Sequence, residues 1–449
     1  MPRKIGFIGG AGVRTPLVIF GINEAARELD ADELVLYDLD IERAARIVQL
    51  GHEIVRREGG SLRIRVARTP EDAVDGASFV LNSVRVGGIA SRASDERRAI
   101  ACGYPGQETT GPAGIAMGQR TIPVAIEQAR LVAKLAPEAW LINFTNPAGL
   151  ITQAILQHSS AKAVGICDTP TEMIHRIQVA LGAPASEVVC DYVGLNHLGW
   201  IRRITLRGED VTDRVLADDA ILTQLYPAPL FDHELIRALR LLPTEYLFFY
   251  YSRTRALNNQ RKQGSTRGEQ IAQMNESLMT KLMTLLDDHQ DSAALVAYVD
   301  YLNLRSGSYM KLEGEGRSAF EEHTPVVDPF RSATGYHRIA LDVMRALSST
   351  EERRVIVNVA NGKTLADIAP DDIIETACAI GKGLIRPLAS EPMPETVRGL
   401  VLAVKAYERA AIRAAVTGST RDLREAMLLY PAIGEWEPSA EIIATLKLR

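Results

Sequence analysis

The sequence predicts an α/β fold in which an N-terminal doubly wound parallel sheet packs closely against an α+β C-terminal lobe. Up to about residue 170, short apolar runs alternate with helical patterns, which is typical of parallel strands covered by helices on both faces. The rhythm changes after about residue 190, where DYVGLNHLGWIRRITLRGEDVT predicts two strands joined by a polar turn, followed by a mostly helical chain. We therefore expect one domain over residues 1–190 and a second lobe over residues 191–449.

Six candidate strands fall within the first part of the chain. Several of them, such as FVLNSV and WLINF, are nearly continuous apolar stretches, as strands buried on both faces should be. Six parallel strands suit the dinucleotide-binding form of this sheet, whose ligand lies beyond the carboxyl ends of the strands. The predicted strands are Lys4–Ile8, Glu33–Tyr37, Leu62–Val66, Ser78–Ser83, Ala139–Phe144 and Ala163–Cys167, and the predicted helices between them include Pro16–Leu29, Ile41–Arg57 and Thr121–Leu135.

Two segments of the second half have a clear local pattern. The segment Glu313–Phe330 is charged and contains two prolines, so it predicts an exposed loop. The segment Pro394–Thr417 predicts a helix that packs at the end of the chain.

Composition and charge argue against several classes of protein. The 449 residues carry a formal net charge of −5 and no long basic run, so nucleic acid is not expected as a partner. No signal stretch and no uncharged apolar run of bilayer-spanning length is visible, so we expect a cytoplasmic protein without a membrane partner. The four cysteines form no CxxC pair, and a functional thiol here is expected to be a ligand or nucleophile rather than half of a disulfide.

A glycine-rich turn after the first strand predicts an NAD site. In GFIGGAGVRTP, Gly9, Gly10 and Gly12 allow a tight turn and a close approach of the backbone to a pyrophosphate. The second strand ends in LYDLD, where Asp38 can hold a ribose diol. An acid there, with no arginine directly after it, favours NAD over NADP. The third glycine of GxGxxG, counted from Gly10, is replaced by Thr15, and the same glycines would also suit a purely structural strand–helix turn.

Five polar or glycine-rich stretches follow predicted strand ends, where the ligand crevice of an open sheet lies. Each also has a structural interpretation, because a single cysteine, a single histidine or an Asn-Pro turn commonly serves packing or backbone hydrogen bonding. Cys167 and His197 are thirty positions apart, which matches no recognised metal-ligand spacing. The residues alone therefore predict an NAD enzyme with a polar crevice, but they do not identify the reaction that it catalyses. The stretches are RVGG with Arg85 and Arg92, GQETTG with Glu108, NFTNPAG with Asn146, GICDTP with Cys167 and Asp168, and GLNHLGW with Asn196 and His197.

Together these stretches resemble glycoside hydrolase family 4, the NAD- and metal-dependent glycosidases. The similarity runs in matching order through IGGAG, YDLD, RVGG, GQETTG, NFTNPAG, GICDTP, GLNHLGW, PTEYLFFYY and TRGEQ, over roughly the first 270 residues. The resemblance implies a Rossmann-type NAD domain, a divalent ion, usually Mn²⁺, a small (phospho)glucoside as substrate, and a homodimer or homotetramer.

The resemblance also assigns roles to matching positions in the chain. Cys167 and His197 correspond to the two protein ligands of the metal ion. Asp168 corresponds to a general acid, and Tyr246 corresponds to the base. The remaining implied contacts are Arg85 in the cofactor region and, for the substrate, Arg92, Asn146, Asn196 and Arg267, the last on a partner-facing loop.

The implied reaction explains an NAD site in a hydrolase. NAD⁺ takes a hydride from C3 of the sugar, the base removes the C2 proton while the metal stabilises the charge, and elimination expels the aglycone. Water then adds and the hydride returns, so this scheme needs no pair of catalytic carboxylates. Tyr246 would need a lowered pKa, which a nearby cation can provide.

Several alternatives stay open beside a 6-phospho-β-glucosidase. In this family 6-phospho-β-glucosidases commonly have Asn after the metal-binding cysteine, some 6-phospho-α-glucosidases have Asp, and members acting on unphosphorylated glucosides often have His. The chain has Asp168, so the anomer and the phosphate requirement stay open. The nucleotide half would also suit an NAD-dependent 2-hydroxyacid dehydrogenase, which accumulates NADH, or an NAD-sensing binding protein, which shows no metal effect.

Overall fold

The computed structural model describes residues 3–318 and 328–448, and its largest element is a nine-stranded sheet. Six of the strands come from the N-terminal part, and they match the six predicted strands to within two residues at each end. Neighbouring strands among these six run parallel. They are β1 (Arg3–Ile8), β2 (Ala31–Tyr37), β3 (Arg63–Val66), β4 (Ala77–Asn82), β5 (Trp140–Asn143) and β6 (Lys162–Gly165).

The order of these strands across the sheet is β6-β5-β4-β1-β2-β3. The chain therefore leaves β1 in one direction for β2 and β3, and returns to the other side of β1 for β4, β5 and β6. Such a switch point opens a crevice beyond the carboxyl ends of the central strands, where doubly wound sheets bind their ligands. The predicted doubly wound sheet is confirmed.

The helices of the N-terminal part cover the sheet, and two predicted helices have different bounds. The helix predicted over Pro16–Leu29 is interrupted at Ala25, and the helix predicted over Thr121–Leu135 already begins at Gly111. Its added first turns are buried all round, so they lack the amphipathic pattern from which a surface helix is recognised. The helices are α1 (Thr15–Glu24), α2 (Ala26–Leu29), α3 (Ile41–Arg57), α4 (Pro70–Val74), α5 (Gly88–Ala101), α6 (Gly111–Leu135), α7 (Ala148–His158) and α8 (Thr169–Ala180).

A separate, smaller sheet begins the second half of the chain. Its main strands are β7 (Val188–Leu195) and β8 (Leu198–Leu206), an antiparallel pair joined by a two-residue turn, as the sequence predicts. Two short strands, β9 (Glu209–Asp210) and β10 (Leu242–Pro243), pair with β8. The turn between β7 and β8 carries Asn196 and His197.

Three further strands, which the sequence analysis did not predict, extend the N-terminal sheet. They are β11 (Arg353–Ala360), β12 (Ile373–Gly381) and β13 (Leu384–Pro387), and they join the sheet antiparallel, with β11 next to β6. Every residue of β12 is buried, as expected of a strand inside a covered sheet. The main sheet thus draws strands from both sides of the predicted boundary at residue 190.

The remaining helices complete the α+β lobe. The predicted helix near the end of the chain is confirmed as α17, but two more helices follow it. The helices are α9 (Thr212–Ala217), α10 (Asp219–Leu225), α11 (His233–Leu239), α12 (Phe248–Tyr251), α13 (Arg253–Gln263), α14 (Arg267–Asp287), α15 (Asp291–Ser306), α16 (Tyr336–Ser348), α17 (Glu395–Thr417), α18 (Thr420–Leu429) and α19 (Pro438–Leu446). Over residues 3–318 and 328–448, no helix is both long and apolar enough to cross a membrane.

The loop predicted over Glu313–Phe330 is not exposed at its two ends. Glu313 is buried and accepts a hydrogen bond of 3.0 Å from the Gln260 side chain. Phe330 is also buried, with its ring 5.2 Å from the ring of Phe20. The prediction is wrong at these ends because tertiary partners bury them, and residues 319–327 lie outside the described part of the chain.

Apolar side chains of β1 bury both faces of the main sheet. Ile5 and Phe7 belong to a cluster with Leu341 of α16, whereas Ile8 points to a second cluster with Ile122 of α6. The alternation along one strand places helices on both sides of the sheet. Because helices cover both faces of the sheet, a site can form at the carboxyl ends of its parallel strands.

Candidate functional site

A cavity of about 2130 Å³ opens at the carboxyl ends of the parallel strands. Small-molecule sites are commonly about 300–1,000 Å³, so this cavity has room for a dinucleotide and a second ligand. Nine of the predicted site residues line it, namely Gly9, Gly12, Asp38, Arg85, Arg92, Asn146, Asp168, Tyr246 and Arg267. The other four, Gly10, Cys167, Asn196 and His197, are not among its lining residues, although Gly10 and Cys167 are direct neighbours of Gly9 and Asp168 in the sequence.

The glycine turn is shaped by close contacts on two sides. A Cβ atom added to Gly9 would lie 2.3 Å from the carbonyl oxygen of Ser83, and the φ angle of Gly9 is +88°. A Cβ atom at Gly10 would lie 2.7 Å from the Cβ of Leu36. At Gly12 the nearest atoms would be 3.6 Å away, and this residue faces the cavity. Gly9 and Gly10 therefore serve the fold, whereas Gly12 keeps the turn open to a ligand such as a pyrophosphate.

Asp38 holds the glycine turn against the end of β2. Its half-buried carboxylate accepts hydrogen bonds from the backbone N–H of Ala11 at 3.0 Å and of Asp40 at 3.1 Å. A carboxylate can accept about four hydrogen bonds, so it retains acceptor capacity on the cavity side. The position fits the predicted ribose contact.

His197 presents a bare nitrogen inside the protein. Its Nδ1 lies 2.9 Å from Oγ1 of Thr109, and that hydroxyl lies 2.7 Å from Oε1 of Gln107. Because the amide oxygen can only accept, the hydroxyl donates to Gln107 and accepts from Nδ1–H of His197. Its Nε2 thus carries the lone pair, and it is buried without a hydrogen-bond partner among the described residues. Burial lowers the pKa of His197 to about 4, so the ring is neutral. This is the state that a metal ligand requires.

Cys167 supplies a buried thiol just beyond the end of β6. Burial raises its pKa well above the ordinary value, and the charges of Glu375 and Asp168 add to this effect. Metal binding requires the thiolate, which a divalent cation at the site would favour. No group of three or more His, Cys, Asp or Glu residues in the described ranges could hold an ion. Two protein ligands alone would leave coordination positions open to bound molecules, so the metal role of the thiol and the imidazole stays a prediction.

Tyr246 lies in a 3₁₀ turn, Glu245–Leu247, next to His197. Its ring stacks on the imidazole of His197, with centroids 3.7 Å apart and planes 12° apart. Burial raises the pKa of Tyr246, whereas a hydrogen bond from Tyr309 lowers it. Burial outweighs the hydrogen bond, so the residues around Tyr246 do not by themselves supply the lowered pKa that the implied mechanism needs. A cation beside the ring would act in the required direction.

Asp168 is the residue just before α8, at its N-cap position, and it lines the cavity. Its Oδ2 lies 3.8 Å from Nη1 of Arg14, an ion pair of modest strength at that separation. Burial raises the pKa of Asp168, although Arg14 acts in the opposite direction, and Glu172 raises it further. A carboxyl with a raised pKa holds its proton closer to neutrality, which suits a general acid.

Arg85 and Arg92 share one buried carboxylate, that of Glu108. Arg85 is ion-paired with Glu108, and Nη1 of Arg92 lies 3.0 Å from the same oxygen. Burial alone would raise the pKa of Glu108, but the two guanidinium groups bring it down to about 2. Arg92 also donates to Glu96 at 2.7 Å. The charges of both arginines are thus largely offset within the protein. The sequence analysis quoted Glu108 in GQETTG but gave it no role.

Arg267 and Arg305 are cavity cations of a different kind. The guanidinium of Arg267 donates to the carbonyl oxygens of Ser308 and Arg305, both at 3.1 Å, and to Oγ of Ser308 at 2.8 Å. Burial, with repulsion from Arg305 and Arg92, lowers the pKa of Arg267 to about 10. Neither Arg267 nor Arg305 forms an ion pair with a carboxylate of the described residues. Together they leave positive charge in the cavity that a bound anion would offset.

Two of the predicted substrate contacts differ in their surroundings. Arg267 is the first residue of helix α14 and lines the cavity, where the 305–308 segment holds its guanidinium, and the expected approach to a partner subunit stays a prediction. Asn196 does not line the cavity, since its amide accepts from the N–H of Gly149 at 3.2 Å and donates to Glu375 at 3.3 Å. Asn146 does line the cavity, before α7, and its peptide bond to Pro147 is cis.

Arg305 and Glu375 were missed by sequence reasoning. Both lie in segments without a glycine-rich or polar motif, more than 100 residues beyond GLNHLGW along the chain. Arg305 reaches the cavity from the end of α15, and Glu375 is buried within β12. Only tertiary contacts reveal either residue.

Comparison with known proteins assigns the family. The family described as family 4 glycosyl hydrolase matches residues 4–183, and its C-terminal domain matches residues 192–433. A probable 6-phospho-β-glucosidase of Bacillus subtilis (strain 168) is 30% identical over 438 residues, which cover 96% of this chain and 92% of that protein. Maltose-6′-phosphate glucosidase of the same strain is 25% identical over 95% of this chain and 90% of its own length.

Solved structures show the same fold. The 6-phospho-β-glucosidase of Thermotoga maritima, solved with NAD and glucose-6-phosphate, has a TM-score of 0.82 to this chain at 24% identity. The superposition covers 99% of this chain and 97% of that one. With both family matches and the relative from Bacillus subtilis spanning nearly the whole sequence, the chain belongs to glycosyl hydrolase family 4.

Proposed function

We propose that the protein is a 6-phospho-β-glucosidase that uses NAD and Mn²⁺. Relatives with that name in Bacillus subtilis and Thermotoga maritima support the activity. The observation that carries the phosphate requirement is the pair of cavity guanidiniums, Arg267 and Arg305, neither of which has a carboxylate of the described residues within ion-pair distance. Buried cations need a counter-charge, and a sugar 6-phosphate supplies two negative charges that guanidinium groups bind well.

The chain offers a place for each cofactor. When bound, NAD supplies a hydride acceptor for C3 of the sugar, and Mn²⁺ supplies Lewis-acid stabilisation of charge on the sugar oxygens. Gly9, Gly10 and Gly12 would shape the pyrophosphate turn, Asp38 would accept from the ribose diol, and Arg85 would lie along the cofactor. His197 with its bare Nε2 and Cys167 would hold the metal ion.

Two side chains are placed to move protons. Tyr246 stacks on His197, beside the proposed metal ligand, and its phenolate oxygen would take the C2 proton, since a nearby cation favours the phenolate form. Asp168, with its raised pKa, would donate a proton to the departing aglycone. Arg92 and Asn146 line the cavity and would orient the sugar. Asn196 would not contact the sugar and would instead stabilise the turn that carries His197.

The α-anomer is the second candidate substrate. Asp168 follows the metal-binding cysteine, and the curated relatives include a maltose-6′-phosphate glucosidase. Elimination after removal of the C2 proton need not be tightly stereospecific, so a chain with this site can accept both anomers. We keep 6-phospho-α-glucosides and unphosphorylated glucosides as alternatives to be tested directly.

The deciding experiment compares four p-nitrophenyl glucosides, α and β, each with and without the 6-phosphate. Release of p-nitrophenol is measured with NAD⁺ and Mn²⁺ present, and again with each omitted. We expect the 6-phospho-β-glucoside to give the highest kcat/KM, full dependence on both cofactors, and no net NADH. Equal rates with and without the phosphate would refute the phosphate assignment. Accumulation of NADH without release of p-nitrophenol would instead favour a dehydrogenase reaction.

We also infer a homodimer or homotetramer and a cytoplasmic location. The oligomer is proposed on the family resemblance, and the location on the four free cysteines, which suit a reducing compartment. Light scattering after size-exclusion chromatography tests the first, and cell fractionation tests the second.

A further inference from the structure

Glu375 is a buried carboxylate that the proposed reaction does not use. It lies within β12 and is only 1% exposed. Three side chains donate to it, the Tyr192 hydroxyl at 2.5 Å, the Asn358 amide at 2.9 Å and the Asn196 amide at 3.3 Å. In the described ranges it has no ion-pair partner. A buried acid held only by neutral donors is costly, so stability alone does not explain its place here.

Two of the three donors belong to the β7–β8 hairpin that presents His197. Tyr192 lies on β7, and Asn196 is the first residue of the turn. His197 follows with a φ angle of +60°, a conformation that residues other than glycine rarely adopt. The turn is held from the other side by Gly149 of α7, whose N–H donates to Asn196. Glu375 and Gly149 thus fix the amide that precedes the histidine.

The third donor connects Glu375 to the strand that leads to Cys167. Asn358 of β11 pairs with Gly165 of β6, and its side-chain amide is shared between Glu375 and the Gly165 carbonyl at 3.5 Å. Gly165 is the last residue of β6, two positions before Cys167. The carboxylate therefore lies between the hairpin with the imidazole and the strand with the thiol.

We propose that Glu375 is a positioning residue that fixes the separation of Cys167 and His197, and so prepares the chain for a divalent metal ion. This rests on the proposed function, because it presupposes that the two side chains bind the ion. Hydrogen-bonded partners commonly orient metal ligands, and loss of such a partner commonly weakens metal affinity about 10- to 100-fold. Glu375 acts on residues beside the two ligands, through Asn196 and through Asn358. The strand that carries Glu375 comes from the far end of the chain, so this support completes the site only when the whole chain has folded.

Mn²⁺ binding tests the proposal without any turnover. Binding is measured by the electron paramagnetic resonance signal of free Mn²⁺, with NAD and glucose-6-phosphate present. We expect Glu375→Ala to weaken Mn²⁺ binding about 10- to 100-fold. Glu375→Gln retains an acceptor for both amides, so it should bind Mn²⁺ within a few-fold of the unaltered protein. NAD affinity, followed by calorimetry, should stay unchanged in both variants.

A spectroscopic reading and a matched control complete the design. With Co²⁺ in place of Mn²⁺, the thiolate-to-metal absorption band should weaken in Glu375→Ala and persist in Glu375→Gln. The control is Glu408→Ala, which removes another buried carboxylate, on α17, that pairs with Lys405. It should lower stability yet leave Mn²⁺ binding unchanged.

The outcomes separate this inference from the proposed function. If the unaltered protein binds no Mn²⁺, the proposed function fails. If it binds Mn²⁺ and Glu375→Ala binds equally well, only the positioning role is overturned. If Glu375→Ala does not fold, Tyr192→Phe serves instead, because it removes one of the three hydrogen bonds and little volume. A several-fold loss of Mn²⁺ affinity in Tyr192→Phe supports the proposal, and unchanged affinity refutes it.

Discussion

At the scale of single residues, the site works through the environments of a few buried polar atoms. His197 is neutral because burial lowers its pKa to about 4, and the Gln107–Thr109 pair leaves its Nε2 bare. Asp168 is shifted the other way, towards the protonated form. The same physical cause, burial, thus prepares one group to bind a cation and another to hold a proton.

Replacing Tyr246 by phenylalanine removes the proposed base and preserves its stacking on His197. We expect kcat to fall about 10²- to 10⁴-fold, the usual contribution of a general base, with little change in KM or NAD affinity. The measurement is p-nitrophenol release from the 6-phospho-β-glucoside. Tyr250→Phe, in the same tyrosine run but hydrogen-bonded to Tyr430, is the control and should keep normal kcat. Normal kcat in Tyr246→Phe would exclude the base.

Replacing Arg305 by glutamine should reduce recognition of the phosphate. Loss of a charge-assisted hydrogen bond costs about 1.5–3 kcal/mol, so KM for the 6-phospho substrate should rise about 10- to 150-fold. The KM for an unphosphorylated glucoside should not change. The comparison of steady-state kinetics on the two substrates checks this, and an equal effect on both would show that Arg305 does not contact the phosphate.

His197 should make the metal-free protein less stable at acid pH. Its pKa is lowered from 6.5 to about 4. Between pH 6.5 and pH 4, His197 is therefore protonated in the unfolded chain and neutral in the folded chain. The stabilisation is therefore complete above pH 6.5 and is lost as the pH falls towards 4, by about 3 kcal/mol. Urea unfolding with EDTA at pH 7, 6 and 5 measures this. His197→Asn should flatten the curve, and His337, whose pKa is also about 4, accounts for a remaining slope.

At the scale of elements, helix α14, which begins with Arg267, contacts helix α5, which carries the buried ion pair of Arg92 with Glu96. Gly268 follows Arg267, and its N–H donates to Glu96 of α5 at 2.6 Å. A Cβ atom at Gly268 would lie 2.8 Å from the Cα of Ala93. The two helices therefore touch through their backbones at this point, and the arginine enters the cavity from a helix with little freedom to shift.

Gly268→Ala should consequently move α14 away from α5. Overpacking of this kind costs about 1–3 kcal/mol of unfolding free energy, and displacement of Arg267 should raise KM for the phosphorylated substrate. Denaturant unfolding and steady-state kinetics test both effects. Gly399→Ala, within α17 and with no atom within 4 Å of the added Cβ, is the matched control. It should gain about 0.5–1 kcal/mol, because alanine favours a helix over glycine. Equal effects of the two substitutions would contradict the packing argument.

At the scale of the whole molecule, one sheet joins the two halves of the chain. The antiparallel pairing of β11 with β6 adds three C-terminal strands to the N-terminal sheet. The apolar cluster on one face of that sheet contains both Val164 of the first half and Val357 of the second. The division at residues 190 and 191 stays a prediction, but the shared sheet means that neither half is expected to be stable alone.

A fragment comprising residues 1–190 should therefore fail to fold as a stable monomer. Without β11, strand β6 becomes an exposed edge beside uncovered apolar side chains, which favours aggregation. Circular dichroism, thermal unfolding and light scattering of the fragment, compared with the full chain, provide the measurement. A soluble monomeric fragment with a cooperative transition would show that the N-terminal sheet is complete by itself.

The sequence by itself determined the parallel sheet, the NAD turn and the family. These depend on local patterns, because a buried strand, a tight glycine turn and each of the stretches from IGGAG to TRGEQ consist of consecutive residues. The family matches confirm that interpretation. Only the tertiary structure decided what surrounds the functional atoms. Arg305, Glu375 and the partners of Asn196 come from segments distant in sequence, and burial, which sets the pKa values of Tyr246 and His197, depends on contacts that no local pattern records.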